Sequence, residues 1–393
     1  MAQVILLRGA KQLLTLRGPS GVRRGAALHD LGIIEDGSVL IRDGVIAALG
    51  STRRIENLKE ARSALEISAN GRIVMPGFID GSLSLSLATI HDPEKRRRLG
   101  DFYEDSLALM RSCLQHGTLT AEVKASADAP EFRSDVSVLR KLAHIGSNPV
   151  RMVRTWRLGG CTSTPGAEND DFLPTLNVLV RRKLIEFVEI TPAAAQSIDE
   201  NALALMEEAG IRVKLLWPGG SADSLVQLLN QYQPRAVRCQ AQVTPAEAAL
   251  LSERGITTVF ATGKEVFEGP TGTSARQVAD AGGAIALSSG YQSTSAASFS
   301  MQMSVSLAVV RLGLTVEEAF TAATINAAHA TGCAHLTGSL EAGKQADIIM
   351  LNVPDYREVP RQFGINHVEM AMRQGSIVFS RTPWQANANR ESA

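Results

Sequence analysis

Polar side chains that could take part in chemistry lie at the ends of short apolar runs in the middle of this sequence. They are Asp80, Glu122, Lys124, Glu189, Lys214 and Ser289. A buried glutamate beside a buried lysine most often forms a charge-neutralising network, although perturbed charged pairs also mark functional sites. We expect these side chains to meet only if the apolar runs are strands that end at the same place.

Two cysteines, Cys161 and Cys239, are predicted to lie near the carboxyl ends of strands and are candidate nucleophiles or a redox pair. No histidine partner is evident in the sequence to activate a thiolate, so small packed residues are the simpler interpretation. The four cysteines are widely spaced and form no CxxC pair, which predicts free thiols in a reducing cytoplasm. They are Cys113, Cys161, Cys239 and Cys333.

Short apolar runs rich in β-branched residues alternate with amphipathic helical stretches through the middle of the chain. The runs are Gly77–Asp80, Thr120–Lys124, Val150–Trp156, Phe187–Thr191, Val213–Trp217, Ala236–Cys239, Thr257–Phe260 and Ala284–Leu287. This alternation over about 250 residues predicts an α/β fold, a (β/α)8 TIM barrel. Because chemistry in such barrels lies at the carboxyl ends of the strands, we expect a pocket at that mouth.

Both ends of the chain are predicted to form strands joined by tight turns. Asp43-Gly44 and Gln374-Gly375 each separate two strand-like runs, a pattern typical of hairpins. We therefore predict a small composite β-sandwich domain from residues 1–76 and 340–385, with the barrel spanning 77–339. Residues 386–393 are polar, and we expect them to form a mobile tail.

The composition argues against some classes of partner. Lys+Arg and Asp+Glu both number 40, so the net charge gives no support for binding nucleic acid or a membrane through a basic surface. The run Val4–Leu7 is too short for a signal-peptide core, and no run approaches transmembrane length. The sequence predicts a cytoplasmic protein without nucleic-acid or membrane partners.

Nearly the whole chain resembles the imidazolonepropionase branch of the amidohydrolase superfamily. Val74–Asp80 resembles the entry into the family's first barrel strand, and Glu122-Val123-Lys124 resembles its second strand. Gly338–Gly375 is similar to a closing stretch specific to this branch. The resemblance implies a barrel with a terminal β domain, and hydrolysis of a C–N bond with one zinc or iron ion.

The positions at which that family holds its metal carry other residue types here. They are Ser82, Ser84, Leu216, Cys239, Gln242 and Gly290. A serine hydroxyl stays neutral near pH 7, and leucine and glycine offer no side-chain ligand. Without a metal, nothing lowers the pKa of the attacking water from about 15.7 towards about 7. The resemblance therefore predicts a lost metal site, and no cofactor is expected.

Positions that contact substrate in the family also differ. His91 stands where the family has an arginine, and Cys161 stands where it has a histidine. The residues expected to line a pocket at the barrel mouth are Asp80, His91, Glu122, Lys124, Lys214, Ser289, Gln292 and Ser295.

Three functions remain open at this point. The first is a catalytically silent homologue, acting as a binding or structural subunit with a small-molecule ligand, either as a homodimer or as a hetero-oligomer with an active paralogue. The second is an active hydrolase of a cyclic amide, such as an imidazolone or hydantoin-like ring, with a cysteine or a carboxylate in place of the metal. The third is a small-molecule sensor that keeps the pocket without the reaction.

Overall fold

The computed structural model describes residues 3–87, 98–126, 133–146, 149–158, 169–195, 198–263, 274–293 and 298–382. The candidates His91, Cys161 and Ser295 lie outside these residues, as does the tail 386–393. What was expected of them remains a prediction.

The strands form two sheets. They are β1 (Val4–Leu14), β2 (Ile33–Arg42), β3 (Val45–Ser51), β4 (Leu65–Ser68), β5 (Ile73–Pro76), β6 (Phe78–Ser86), β7 (Thr118–Ser126), β8 (Arg151–Arg157), β9 (Phe187–Ile190), β10 (Arg212–Trp217), β11 (Ala236–Cys239), β12 (Thr257–Ala261), β13 (Ala284–Ser288), β14 (Ile348–Leu351), β15 (Val368–Arg373) and β16 (Ser376–Ser380).

Helices follow most of the barrel strands. They are α1 (Thr52–Glu56), α2 (Leu99–Gln115), α3 (Arg133–Ile145), α4 (Asn169–Arg181), α5 (Pro192–Ala195), α6 (Glu200–Glu208), α7 (Ala222–Tyr232), α8 (Pro245–Glu253), α9 (Ser274–Asp280), α10 (Met301–Val310), α11 (Val316–Ala322), α12 (Ile325–Ala330) and α13 (Glu358–Arg361), with short 3-10 helices at Gly25–His29 and Lys59–Ser63.

Strands β6 to β13 are parallel neighbours in chain order, which confirms the predicted barrel. The circle closes at the carboxyl end, where Ser84 of β6 forms a parallel bridge with Gln292 beyond β13. The Ser84 amide donates to the carbonyl of Tyr291 at 2.8 Å. Closure at this end places the segment after β13 directly beside the first barrel strand.

The opposite end of the barrel is filled by apolar side chains. Ile79 of β6, Ala236 of β11 and Val259 of β12 form a buried cluster with the alanines of α12. Strands β12 and β13 are buried at every residue, as expected for parallel strands covered on both faces. This end of the barrel is therefore closed by an apolar cluster.

Local signals in the sequence explain where two of the helices begin. Thr244 accepts a hydrogen bond from the Glu247 amide, and the Glu247 side chain accepts one from the Thr244 amide. Thr315 and Glu318 make the same reciprocal pair before α11. Such capping boxes satisfy amide groups that the first helical turn leaves unpaired.

Both ends of the chain contribute to the second sheet, whose order is β16-β15-β14-β5-β1-β2-β3, with β4 beside β1. The two predicted hairpins are confirmed, and their turns have positive φ at Asp43 (50°), Gly44 (80°), Gln374 (47°) and Gly375 (75°). A Cβ on Gly375 would lie 2.9 Å from Cα of Gly44. The two turns are therefore in close contact, and this contact joins the ends of the chain.

Among the described residues, no helix has the length and apolar character needed to cross a membrane.

Candidate ligand site at the barrel mouth

A buried ion pair crosses the barrel interior near the carboxyl ends of the strands. The ammonium of Lys214 on β10 donates to Oε2 of Glu122 on β7, although β8 and β9 separate these strands. The hydroxyl of Thr155 on β8 donates to the other carboxylate oxygen at 2.8 Å. Both oxygens of Glu122 are thus occupied, as a buried carboxylate requires.

Glu189 on β9 is the second carboxylate of this interior, and three cations converge on it. Lys124 donates to Oε1, Nε of Arg157 lies 3.1 Å from Oε2, and Nη2 of Arg238 lies 3.5 Å from the same oxygen. Burial alone would raise the pKa of Glu189, but Lys124, Arg238 and Arg157 hold it well below its usual range. Glu189 is therefore ionised at neutral pH.

The lysines of the network are almost fully buried. Burial lowers the pKa of Lys124 to about 8, against the opposing effect of Glu122 at 3.7 Å and of Glu189. Nζ of Lys214 lies 4.1 Å from the ring centroid of Phe187, a favourable cation–π arrangement. The interior can hold these ammonium groups because each has a carboxylate partner.

Taken together, the linked residues carry more positive than negative charge. The linked set, called the mouth network below, contains Glu122, Lys124, Arg157, Glu189, Lys214 and Arg238. Four cations face two carboxylates, so its formal charge is +2. The expected neutral Glu–Lys pairing describes Glu122 with Lys214, but not the network as a whole.

Asp80 on β6 is fully buried at the same end of the barrel. Its Oδ1 accepts hydrogen bonds from the amides of Ser82 and Ser289, each at 3.1 Å. Its Oδ2 has no hydrogen-bond partner among the described residues. Burial raises the pKa of Asp80 to about 6, against the lowering effect of these hydrogen bonds.

The residues at the six positions where the family holds its metal differ in burial and in hydrogen bonding. Ser84 accepts a hydrogen bond from Nη2 of Arg157 at 2.6 Å. Ser82 and Leu216 are buried, Cys239 and Gly290 are half-buried, and Gln242 is exposed. Within the described parts of the chain, no three His, Cys, Asp or Glu side chains are grouped so that they could hold a metal ion.

Most of the predicted pocket residues lie deeper than expected. Asp80, Glu122, Lys124, Lys214 and Ser289 are at most 3% exposed, so they form the floor beneath the mouth. Of the predicted residues, Gln292 is half-buried and lies at the closure of the barrel.

Arg157 and Arg238 were not among the candidates, yet they form the upper part of the mouth network. Side chains two residues apart in a strand point to the same face. Arg157 follows Thr155 at that spacing, and this alternation is the signal that could have identified it.

Cys239 is poorly suited to the role of nucleophile. Burial raises the pKa of its thiol to about 12, with a further contribution from Glu247 that Arg238 only partly offsets. A cysteine attacks as its thiolate, which is scarce at neutral pH in this environment. Cys113, Cys239 and Cys333 are free thiols, as predicted.

Residues 245–378 match the Amidohydrolase family. The chain is 30% identical to the imidazolonepropionase of Geobacillus kaustophilus, with 95% of this chain and 97% of that protein covered. It is 28% identical to the imidazolonepropionase of Brevibacillus brevis, with 96% and 98% covered.

Solved structures share the fold at lower sequence identity. Guanine deaminase of E. coli matches with a TM-score of 0.68 and 17% identity, with 97% of this chain and all of that chain covered. An adenosine deaminase from Xanthomonas campestris, solved with bound zinc, matches with a TM-score of 0.68 and 16% identity, with 95% and 92% covered. With the full-length similarity to imidazolonepropionases, these findings show that the chain belongs to the amidohydrolase superfamily, in its imidazolonepropionase-like branch.

Proposed function

We propose that this protein is a member of the imidazolonepropionase-like branch that binds a small molecule without metal-dependent hydrolysis. It would then serve as a binding or structural subunit. One observation carries the proposal: Arg157, Arg238 and Lys124 converge on Glu189, and Arg157 also donates to the hydroxyl of Ser84. The resemblance implies a metal ligand at the position of Ser84, and in this chain a cationic side chain contacts that position.

The residues present do not fit a zinc or iron ion. A catalytic metal needs about three ligands that converge at roughly 2 Å. The Ser84 hydroxyl already accepts a hydrogen bond from Arg157, and Leu216 has no donor atom. Glu122 is bound by lysines, and Glu189 by a lysine and two arginines, so neither carboxylate is free to bind a metal. Asp80 Oδ1 accepts two backbone hydrogen bonds.

Electrostatics point in the same direction. Two like unit charges about 4 Å apart repel by roughly 4 kcal/mol at an effective dielectric constant of about 20. The mouth network already carries an excess of positive charge. A divalent cation added beside it would have to overcome that repulsion as well as the lack of ligands.

Elemental analysis of freshly purified protein tests the proposal. The protein is measured before and after incubation with zinc, iron and manganese, and the Geobacillus kaustophilus relative is treated in parallel as a control for loading. We expect metal content far below stoichiometry in this chain under all conditions. Close to one metal per chain would overturn the proposal.

A second candidate is an active hydrolase that opens a cyclic amide. The observation in its favour is similarity over 95% of the chain to proteins named imidazolonepropionase. An assay on imidazolone and hydantoin rings separates the two candidates. Turnover that a chelator abolishes would establish metal-dependent hydrolysis, whereas absence of turnover after incubation with zinc, iron or manganese supports the binding function.

The proposal includes assembly into an oligomer, either a homodimer or a hetero-oligomer with an active paralogue. Light scattering on the purified chain tests the first form. A monomer at all concentrations would leave the hetero-oligomer, which co-expression with an imidazolonepropionase from the same organism would test.

A further inference from the structure

We infer that the barrel mouth binds a small carboxylate, held between the guanidinium groups of Arg157 and Arg238. This inference rests on the proposed metal-free binding function and specifies its ligand class. It places an anion in the part of the barrel where the family would hold a cation.

The first argument is the position of the two guanidinium groups. Nε of Arg157 and Nη2 of Arg238 lie 3.1 Å and 3.5 Å from one oxygen atom, Oε2 of Glu189. Two like charges are thus brought together beside a single buried acceptor. A second anion between them would relieve their mutual repulsion.

The second argument is a surplus of donors over acceptors. A guanidinium has five N–H groups, and a carboxylate offers about four lone-pair sites. Within the described residues, the hydrogen bonds of Arg238 go to Glu189 and are long, at 3.5 Å each. Glu189 also accepts from Lys124 and Arg157. Toward the described residues, the two arginines therefore leave several N–H donors unused, and these could bind an external anion.

The third argument is the charge at this end of the barrel. Among the described residues, the mouth network carries a formal charge of +2, and the buried carboxylate of Asp80 contributes a formal charge of −1, which leaves an excess of +1. A monocarboxylate balances one positive charge. Its planar pair of oxygens also matches the fork of a guanidinium, whereas a tetrahedral phosphate carries more charge than the site needs.

The fourth argument is access. The side chain of Arg157 is 17% exposed and that of Arg238 is 9% exposed, while Lys124 and Lys214 lie beneath them at 2% and 3%. The arginines are therefore the cations of the mouth network that are most accessible to a ligand from solvent. The lysines then act through their charge, without direct contact.

Titration calorimetry in a low-chloride buffer tests the inference on the full-length chain. The probes are acetate, imidazole-4-acetate, inorganic phosphate and uncharged imidazole. We expect both carboxylates to bind, phosphate to bind more weakly than they do, and imidazole not to bind. No binding of either carboxylate, or tighter binding of phosphate, would overturn the inference.

Variants locate the binding. Arg157→Gln and Arg238→Gln each remove one charge-assisted contact and should weaken carboxylate binding roughly 10- to 100-fold. Arg157→Lys keeps the positive charge but loses the planar fork of the guanidinium. Its affinity for the carboxylate should therefore lie between those of the wild type and Arg157→Gln. Arg154→Gln is the matched control, since Arg154 lies on the same strand and bonds to Glu186 instead of the mouth network.

Equal weakening by Arg154→Gln would show a general effect of charge and overturn the assigned site. Thermal melts of each variant verify that it is folded. If Arg157→Gln does not fold, Arg157→Lys still tests the contribution of Arg157 to binding. A metal-free chain that binds no carboxylate would remove this inference and leave the proposed function intact. A metal-loaded chain would remove the proposed function, whatever the titrations show.

Discussion

Lys214 donates to Glu122 across the inside of the barrel, and 92 residues of sequence separate the two. Both side chains are at most 3% exposed. Replacing one member of such a pair leaves the other charge buried without a partner. The free-energy cost of that unpaired charge is far larger than the net stabilisation that the intact pair provides.

Glu122→Gln should therefore destabilise the protein by about 3–5 kcal/mol, because the Lys214 ammonium would lose its carboxylate. Urea unfolding followed by circular dichroism measures the change. Glu56→Gln is the control, since Glu56 pairs with Arg8 at the surface and both side chains are about 40% exposed. That pair should contribute less than about 1 kcal/mol.

The double variant Glu122→Leu with Lys214→Met extends this prediction. Removal of both charges should recover much of the stability that Glu122→Gln loses, because the barrel interior tolerates apolar side chains of similar size. A double variant as unstable as the single one would show that the pair fulfils a requirement beyond charge balance.

Asp80 should make stability depend on pH in a defined direction. Its pKa is raised from 3.8 to about 6 in the folded state, so its contribution is fully present below about pH 4 and is lost as the pH rises through 6. The loss amounts to about 3 kcal/mol. Urea unfolding at pH 4.5 and 7.5 should show Asp80→Asn gaining stability relative to the wild type as the pH rises. An unchanged difference between the two proteins would contradict the raised pKa.

Cys239 should be slow to alkylate. Because burial raises the pKa of its thiol to about 12, iodoacetamide at pH 8 should modify it at least about 100-fold more slowly than an unstructured cysteine peptide. Peptide mass spectrometry follows this site separately from the other cysteines. Fast modification at pH 8 would restore Cys239 as a candidate nucleophile.

Gly375→Ala should weaken the contact between the two terminal hairpins. The new Cβ would lie 2.9 Å from Cα of Gly44, in addition to the strain of a positive φ of 75°. Gly71→Ala is the matched control, because Gly71 has a φ of 70° and open space around its Cβ position. The control should cost about 1 kcal/mol from backbone strain, and Gly375→Ala clearly more. Equal decreases in the melting temperature of Gly375→Ala and Gly71→Ala would show that the close approach of the two turns does not affect stability.

Much of the fold could be predicted from the sequence because its signals are local. Asp43-Gly44 and Gln374-Gly375 fix hairpins through backbone conformations that few residues adopt. Apolar runs that alternate with amphipathic stretches identified the eight barrel strands, since a parallel strand covered on both faces must be apolar along its length. The resemblance of the closing stretch to imidazolonepropionases likewise depends on residues that can be compared one by one.

The sequence by itself determined which residue types stand at the strand ends, including Ser82, Ser84 and Leu216. Only the tertiary structure decided which charges meet. Barrel closure brings β7 opposite β10 and lets Arg157 and Arg238 share one oxygen of Glu189. Arg157 and Glu189 are partners on the neighbouring strands β8 and β9. The contacts of Glu122 with Lys214 and of Glu189 with Arg238 depend on the stagger of strands that are not neighbours and on the reach of long side chains, and neither is encoded in any local segment.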